Sequence, residues 1–179
     1  MSGKKQTNHG FTLIELLIVV SLSVMMMLAA SALFMTFLIG GAKTNTAQTL
    51  KSEGTFALNQ IEFLIRNAEE LQLNSNNERC QASMDEFVIK SLDGGVTALF
   101  AETDPADSKS KIASNSGTYL TSGNNVLIDG PTFDCSETVD NSVPYVTVSF
   151  TLRHGTDGVD KDRDIVEQTF TTGISLRNL

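Results

Sequence analysis

Residues 10–41 read GFTLIELLIVVSLSVMMMLAASALFMTFLIGG, and between Phe11 and Ile39 the only ionisable side chain is Glu15. As a helix rising about 1.5 Å per residue, this run is long enough to cross a hydrocarbon core of about 30 Å. Its serine and threonine hydroxyls can bond back to carbonyls of their own helix, so they do not forbid insertion. Lys4 and Lys5 precede the run, Gly40 and Gly41 follow it, and Lys43 lies just beyond. Positive flanks stay on the cytoplasmic side, so the rest of the chain is expected to face outward, a bias that Lys43 weakens slightly. An ordinary secretory signal does not fit, because its apolar region is shorter and is followed by a small-residue cleavage site. A plain signal anchor fits the run but leaves Glu15 unexplained. An unpaired charge costs roughly 2.5–3.5 kcal/mol near the centre of an inserted helix and less near the interface. A carboxylate at such a place is a functional candidate in need of a partner.

The string Gly10-Phe11-Thr12-Leu13-Ile14-Glu15-Leu16-Leu17, behind a short basic stretch, closely resembles the type IV prepilin signal. The resemblance implies cleavage after Gly10 by a prepilin peptidase and N-methylation of the new terminus at Phe11. It also implies that Glu15 stays in the mature helix. There its carboxylate can neutralise the amino group of Phe11 on a neighbouring subunit, turning two costly charges in lipid into one pair that sets axial register. His9 stands beside the cleavage site without an evident role of its own.

Beyond Gly41 the helical pattern resumes with a different character. Ala47, Leu50, Gly54, Ala57, Leu58, Ile61, Leu64, Ile65, Ala68 and Leu71 recur at three- and four-residue steps. Lys51, Glu53, Glu62, Arg66, Glu69 and Glu70 lie opposite them. The spacing predicts an amphipathic helix ending near Leu73, where NSNNE supplies stop and turn residues. Gly40 and Gly41 are expected to bend the helix mildly rather than break it.

After Cys80 the period changes to two. Strands are predicted at 86–91 and 96–102, joined by the tight turn LDGG, and a short one at 111–114 inside the polar stretch 103–117. Further short strands are predicted at 118–121, 125–129 and 132–135, with a break at Gly130-Pro131. The strongest β signal is 144–154, with Val146, Val148, Phe150 and Leu152 on one face. A second long strand, 164–176, follows the loop GTDGVDKDR. A long helix lying on an antiparallel sheet is an α+β arrangement, and it matches the pilin fold that the signal implies. TFDC, YVTVSFTL and FTTGISLRNL are similar to the C-terminal sheet of W-type minor pilins and J-type minor pseudopilins. The expected organisation is a leader at 1–10 that is removed, a transmembrane and filament-core helix at 11–39, an amphipathic helix half at 42–73 and a β-rich head at 74–179.

Charge and chemistry narrow the function. Net charge is −8, and with Lys4 and Lys5 set aside the remainder carries about −10. That disfavours direct binding to nucleic acid, which needs a basic footprint, and a peripheral membrane contact through the soluble part. No Gly-rich phosphate loop, HExxH or CxxC is present. A Ser-His-Asp set would have to use His154, at a strand end with nothing local to orient it. No enzymatic activity is therefore expected.

Cys80 and Cys135 pair in an oxidising compartment and stay reduced in the cytosol. Export favours a structural disulfide; two free thiols or a redox role are the alternatives. Asp157, Asp160, Asp162 and Asp164 have the alternate spacing that can wrap calcium. Ile165 stands where an EF-hand needs its turn glycine, and the alternative is a solvated acidic turn. No other cofactor is expected.

The reading that results is a minor pilin or minor pseudopilin of a type IV pilus or type II secretion-like filament. Its partners would be other pilin or pseudopilin subunits, the prepilin peptidase, the inner-membrane assembly platform and membrane lipid. It would sit in the cytoplasmic membrane by a single pass until assembled. A tip adhesin or a DNA-uptake pseudopilin, using the loop 103–117 and the acidic hairpin, is the alternative. A membrane-tethered enzyme is a third class without a catalytic constellation.

Overall fold

The computed structural model describes residues 11–115, 117–121, 125–137, 144–155 and 165–176. The chain divides into two compact units, Met1–Ala42 and Lys43–Leu179. Helix α1, Leu13–Arg66, contributes to both. Helical assignment runs through Gly40 and Gly41.

In the first unit every described residue is exposed. The hydroxyls of Ser21, Ser23, Ser31 and Thr36 donate to the carbonyls of Ile18, Val19, Met27 and Ala32 at 2.8–3.0 Å. These four hydroxyls are thus satisfied within the helix itself, as a lipid-facing segment requires.

The second unit is α+β. Leu50, Gly54, Ala57, Ile61 and Ile65 form the buried stripe of α1, which is the predicted face. Two antiparallel sheets share one core with it. The first has five strands in sequential order: β1 (Ala68–Leu71), β2 (Phe87–Ser91), β3 (Val96–Thr103), β4 (Ser110–Ser114) and β5 (Thr118–Tyr119). The second has β6 (Asn125–Ser136), β7 (Tyr145–His154) and β8 (Val166–Ser175) in that order. Val146, Val148, Phe150 and Leu152 of β7 are all buried, as their alternation predicts. Phe87 stacks on Phe133 at 5.2 Å, and Phe150 on Phe170 at 5.4 Å, between ring centroids.

Two expectations are corrected. The helix does not reach Leu73: it stops at Arg66, and Ala68–Leu71 is an edge strand paired with β2. Asn67 ends the helix, with both its backbone N–H and its side-chain amide donating to the Phe63 carbonyl at 3.2 and 2.7 Å. Ala68 and Leu71 are buried three residues apart because a bulge between Ala68 and Glu70 shifts the register. A bulge turns residues at helical spacing onto one face of a strand, so the apolar pattern runs on while the conformation changes.

The predicted break at Gly130-Pro131 is instead an irregularity inside one long strand. The peptide bond is cis and Gly130 has φ +79°, yet β6 continues to pair with β7 on both sides. A Cβ on Gly130 would lie 2.7 Å from the Ser149 carbonyl oxygen. Only glycine combines that positive φ with so close a backbone approach.

Candidate functional site

Of the predicted processing and assembly residues, Phe11 and Glu15 are described and lie at the start of α1. Gly10 lies outside the described residues, as do Lys4, Lys5 and His9. Phe11 precedes the helix and is 80 % exposed. Thr12 caps it: the Glu15 N–H donates to the Thr12 carbonyl at 3.1 Å and to Thr12 Oγ1 at 3.3 Å. Thr12-x-x-Glu15 is a capping-box spacing, a signal legible in the sequence that the reading above passes over. Glu15 therefore stands in the first turn of α1. There the unpaired N–H groups and the helix dipole favour a negative charge, and the cost of insertion is lower than at mid-helix.

The cysteines predicted to pair are joined. Cys80 and Cys135 form a disulfide with a Cα–Cα distance of 4.9 Å. It belongs to a wider clasp between the segment before β2 and strand β6. Met84 and Phe133 exchange backbone hydrogen bonds at 3.0 and 2.8 Å, Cys135 N donates to the Gln81 carbonyl at 2.8 Å, and Ser83 N donates to Asp134 Oδ1 at 2.7 Å. The disulfide thereby ties the β1–β2 connection of the first sheet to the first strand of the second.

His154 is not without an orienting group. Asn125, buried at the start of β6, donates from Nδ2 to Glu53 of α1. Its Oδ1 therefore faces His154 Nδ1 at 2.8 Å as the acceptor, which places the ring proton on Nδ1. These three groups join helix, β6 and β7 across 72 and 29 residues of sequence. The relay fixes a ring orientation; no nucleophile is aligned with it among the contacts described.

The most enclosed charge is also one the sequence does not single out. Lys111 Nζ lies 2.5 Å from Asp104 Oδ2 and 2.9 Å from Asp107 Oδ2, its side chain only 7 % exposed. Tyr119 offers its ring face 5.1 Å away. The hydrogen bond from Lys111 holds Asp104 below the ordinary carboxylate value, with a second from Ala106 N–H. Asp107 is lowered for the same first reason. Bonding to both carboxylates raises Lys111, while burial, followed by the nearby Asp104, raises the Tyr119 phenol. The ammonium occupies the place of a cation between two carboxylates and closes the turn from β3 to β4. Within this stretch Asp104 and the β4 residues Lys111 to Ser114 are buried, while 105–108 stay exposed.

Asp157, Asp160, Asp162 and Asp164, the candidate calcium ligands, lie outside the described residues. Among the described residues, no group of three or more His, Cys, Asp or Glu side chains is placed to hold a metal ion.

An exposed apolar helix whose capped first turn carries Glu15, followed by a disulfide-clasped α+β unit, is the build of an anchored protein. Comparison narrows the class: residues 5–31 match the family model described as the prokaryotic N-terminal methylation motif. Over these residues the chain carries a type IV prepilin signal, which implies processing by a prepilin peptidase and supports a pilin-like subunit that assembles with others. Among the described residues α1 is the one helix long and apolar enough to cross a membrane, which together with the signal supports a single-span anchor. No curated protein and no solved structure matches the chain.

Proposed function

We propose that this protein is a minor pilin or minor pseudopilin of a type IV pilus or type II secretion-like filament. Cleavage follows Gly10, the new terminus at Phe11 is N-methylated, and the 11–39 segment passes from the membrane into the filament core. The head faces the periplasm or the cell surface. An inner-membrane assembly platform and membrane lipid are its other partners, and no nucleic acid is bound directly.

The observation that carries this reading is the apolar segment itself. Its most hydrophobic window is 0 % buried, and along the run Phe11, Leu16, Met26, Phe34 and Phe37 are each more than half exposed. Exposed apolar area on this scale must be covered by lipid or by other subunits. The prepilin-type signal in the same residues supports movement from the first to the second. The test is N-terminal mass spectrometry of protein from cells with an active prepilin peptidase. The expected chain starts at methylated Phe11, and Gly10→Val blocks the cut. An intact leader on the wild-type chain in those cells overturns the reading.

A further inference from the structure

Strands β7 and β8 pair without a register shift over their whole length, and alternate residues of each point away from the core. On that outer face Thr147 stands opposite Gly173, Ser149 opposite Thr171 and Thr151 opposite Thr169. All six are exposed or half-buried. From Tyr145 to Thr151 on one strand, and from Thr169 to Ser175 on the other, no outward residue is charged. Roughly a quarter to a third of an ordinary surface is charged. Here the charges are set at the margins and are engaged there. Arg153 pairs with Glu167 at one end, and on β6 the Asp134 carboxylate accepts from the Ser83 N–H.

Tyr145 adds an aromatic surface. Its register partner is Ser175, yet its phenol end occupies the place that a Cβ on Gly173 would take. Gly173 is the diagonal neighbour, which a tyrosine reaches by leaning along the sheet. One side of the ring therefore rests on the Gly173 backbone and the other meets solvent, with Tyr145 49 % exposed. A side chain at 173 would lift the ring.

We infer that this face binds the flat side of an extended, neutral β-linked glucan, with Tyr145 as the stacking surface and the hydroxyl rows as hydrogen-bonding partners. A sugar ring presents an apolar face of C–H groups rimmed by hydroxyls, and a tyrosine lying along the sheet presents an apolar face with a polar tip. Every serine and threonine hydroxyl is donor and acceptor at once, the double capacity that a chain of hydroxyls requires. Thr151 Oγ1 and Thr169 Oγ1 hold each other at 2.9 Å across the strands, and β-branched side chains have little rotamer freedom left to lose on binding. Charge selects among polymers. The chain carries −8 overall, which repels polyanions, and the uncharged middle of the face gives a polycation nothing to pair with. Phe170 points to the other side of the sheet, over Gly54, so α1 does not cover this face. The inference goes beyond the filament reading, and its test needs no filament.

The full-length chain in detergent micelles is mixed with microcrystalline cellulose, or with cross-linked carboxymethyl cellulose as the anionic counterpart, and the protein left in solution is measured. Saturable depletion by plain cellulose, and much less by the carboxymethyl form, is expected. Tyr145→Phe should bind as wild type because the ring is kept. Tyr145→Ala should weaken binding roughly tenfold. Thr171→Arg, at an exposed position, should weaken it as well by holding the polymer off the sheet, and it carries the test alone if Tyr145→Ala melts early. Wild type left in solution, equal capture by both particles, or undiminished capture of Thr171→Arg overturns the inference. None of these outcomes bears on processing at Gly10 or on incorporation into filaments, so the two readings fall separately.

Discussion

The ring of Phe170 lies directly over the backbone of Gly54, where a Cβ would occupy the ring itself. Phe170 is backed by Phe150, so the ring has no free side to which it can retreat. This contact sets how closely β8 approaches α1. Alanine at an interior helix position is favoured over glycine by about 1 kcal/mol, whereas overpacking a core costs about 1–3 kcal/mol. The steric term wins here. Gly54→Ala is expected to destabilise the second unit by about 1 kcal/mol, and Gly54→Val by more. Chemical denaturation followed by circular dichroism measures both, and a stabilised Gly54→Ala would show that the ring can move.

The disulfide closes a sequence separation of 55 residues, for which the chain-entropy model gives about 4 kcal/mol. Cys80→Ser with Cys135→Ser should lose stability on that scale. Non-reducing peptide mapping of the native protein should recover Cys80 linked to Cys135. Freshly isolated protein whose thiols alkylate freely would contradict the pairing and the outward-facing head alike.

The Lys111 cluster predicts a pH signature. Asp104 and Asp107 are lowered below 3.8 in the folded protein, so their contribution is complete above that value and is lost as pH falls through the folded values. Lys111 is raised above 10.5, so its contribution is complete below that value and is lost as pH rises through the folded one. The stability difference between wild type and Lys111→Met should therefore be level across the neutral range. It should shrink in acid below about pH 4. A difference that is flat into strong acid would remove the ion pair from the account.

Glu15→Leu tests the intramembrane carboxylate. The change makes the segment more apolar, so single-pass insertion should be retained. On the proposal that Glu15 is the counter-charge for the Phe11 amino group of a neighbouring subunit, incorporation into filaments should fall. Equal amounts of variant and wild type in sheared filaments would leave Glu15 with its first-turn role alone.

What the sequence determined by itself is whatever repeats with a short period or stands out within one segment. The 11–39 run, its single carboxylate, the buried stripe from Leu50 to Ile65 and the alternation from Val146 to Leu152 all follow from local chemistry and from the periods of helix and strand. Tertiary structure decided where those patterns are ambiguous and which distant residues meet. Ala68 and Leu71 continue the helical spacing, yet pairing with β2 through a bulge makes them a strand. Lys111, at the start of a short predicted strand, and Asp104, in the polar stretch before it, show no sign of meeting until β3 and β4 pair and enclose them. His154 acquires Asn125 and Glu53 only when β7, β6 and α1 come together. Periodicity records which face of an element is apolar, and it carries no term for which other element will cover that face. That choice is made by contacts between residues far apart in the chain, whose energies exist only once the chain has folded.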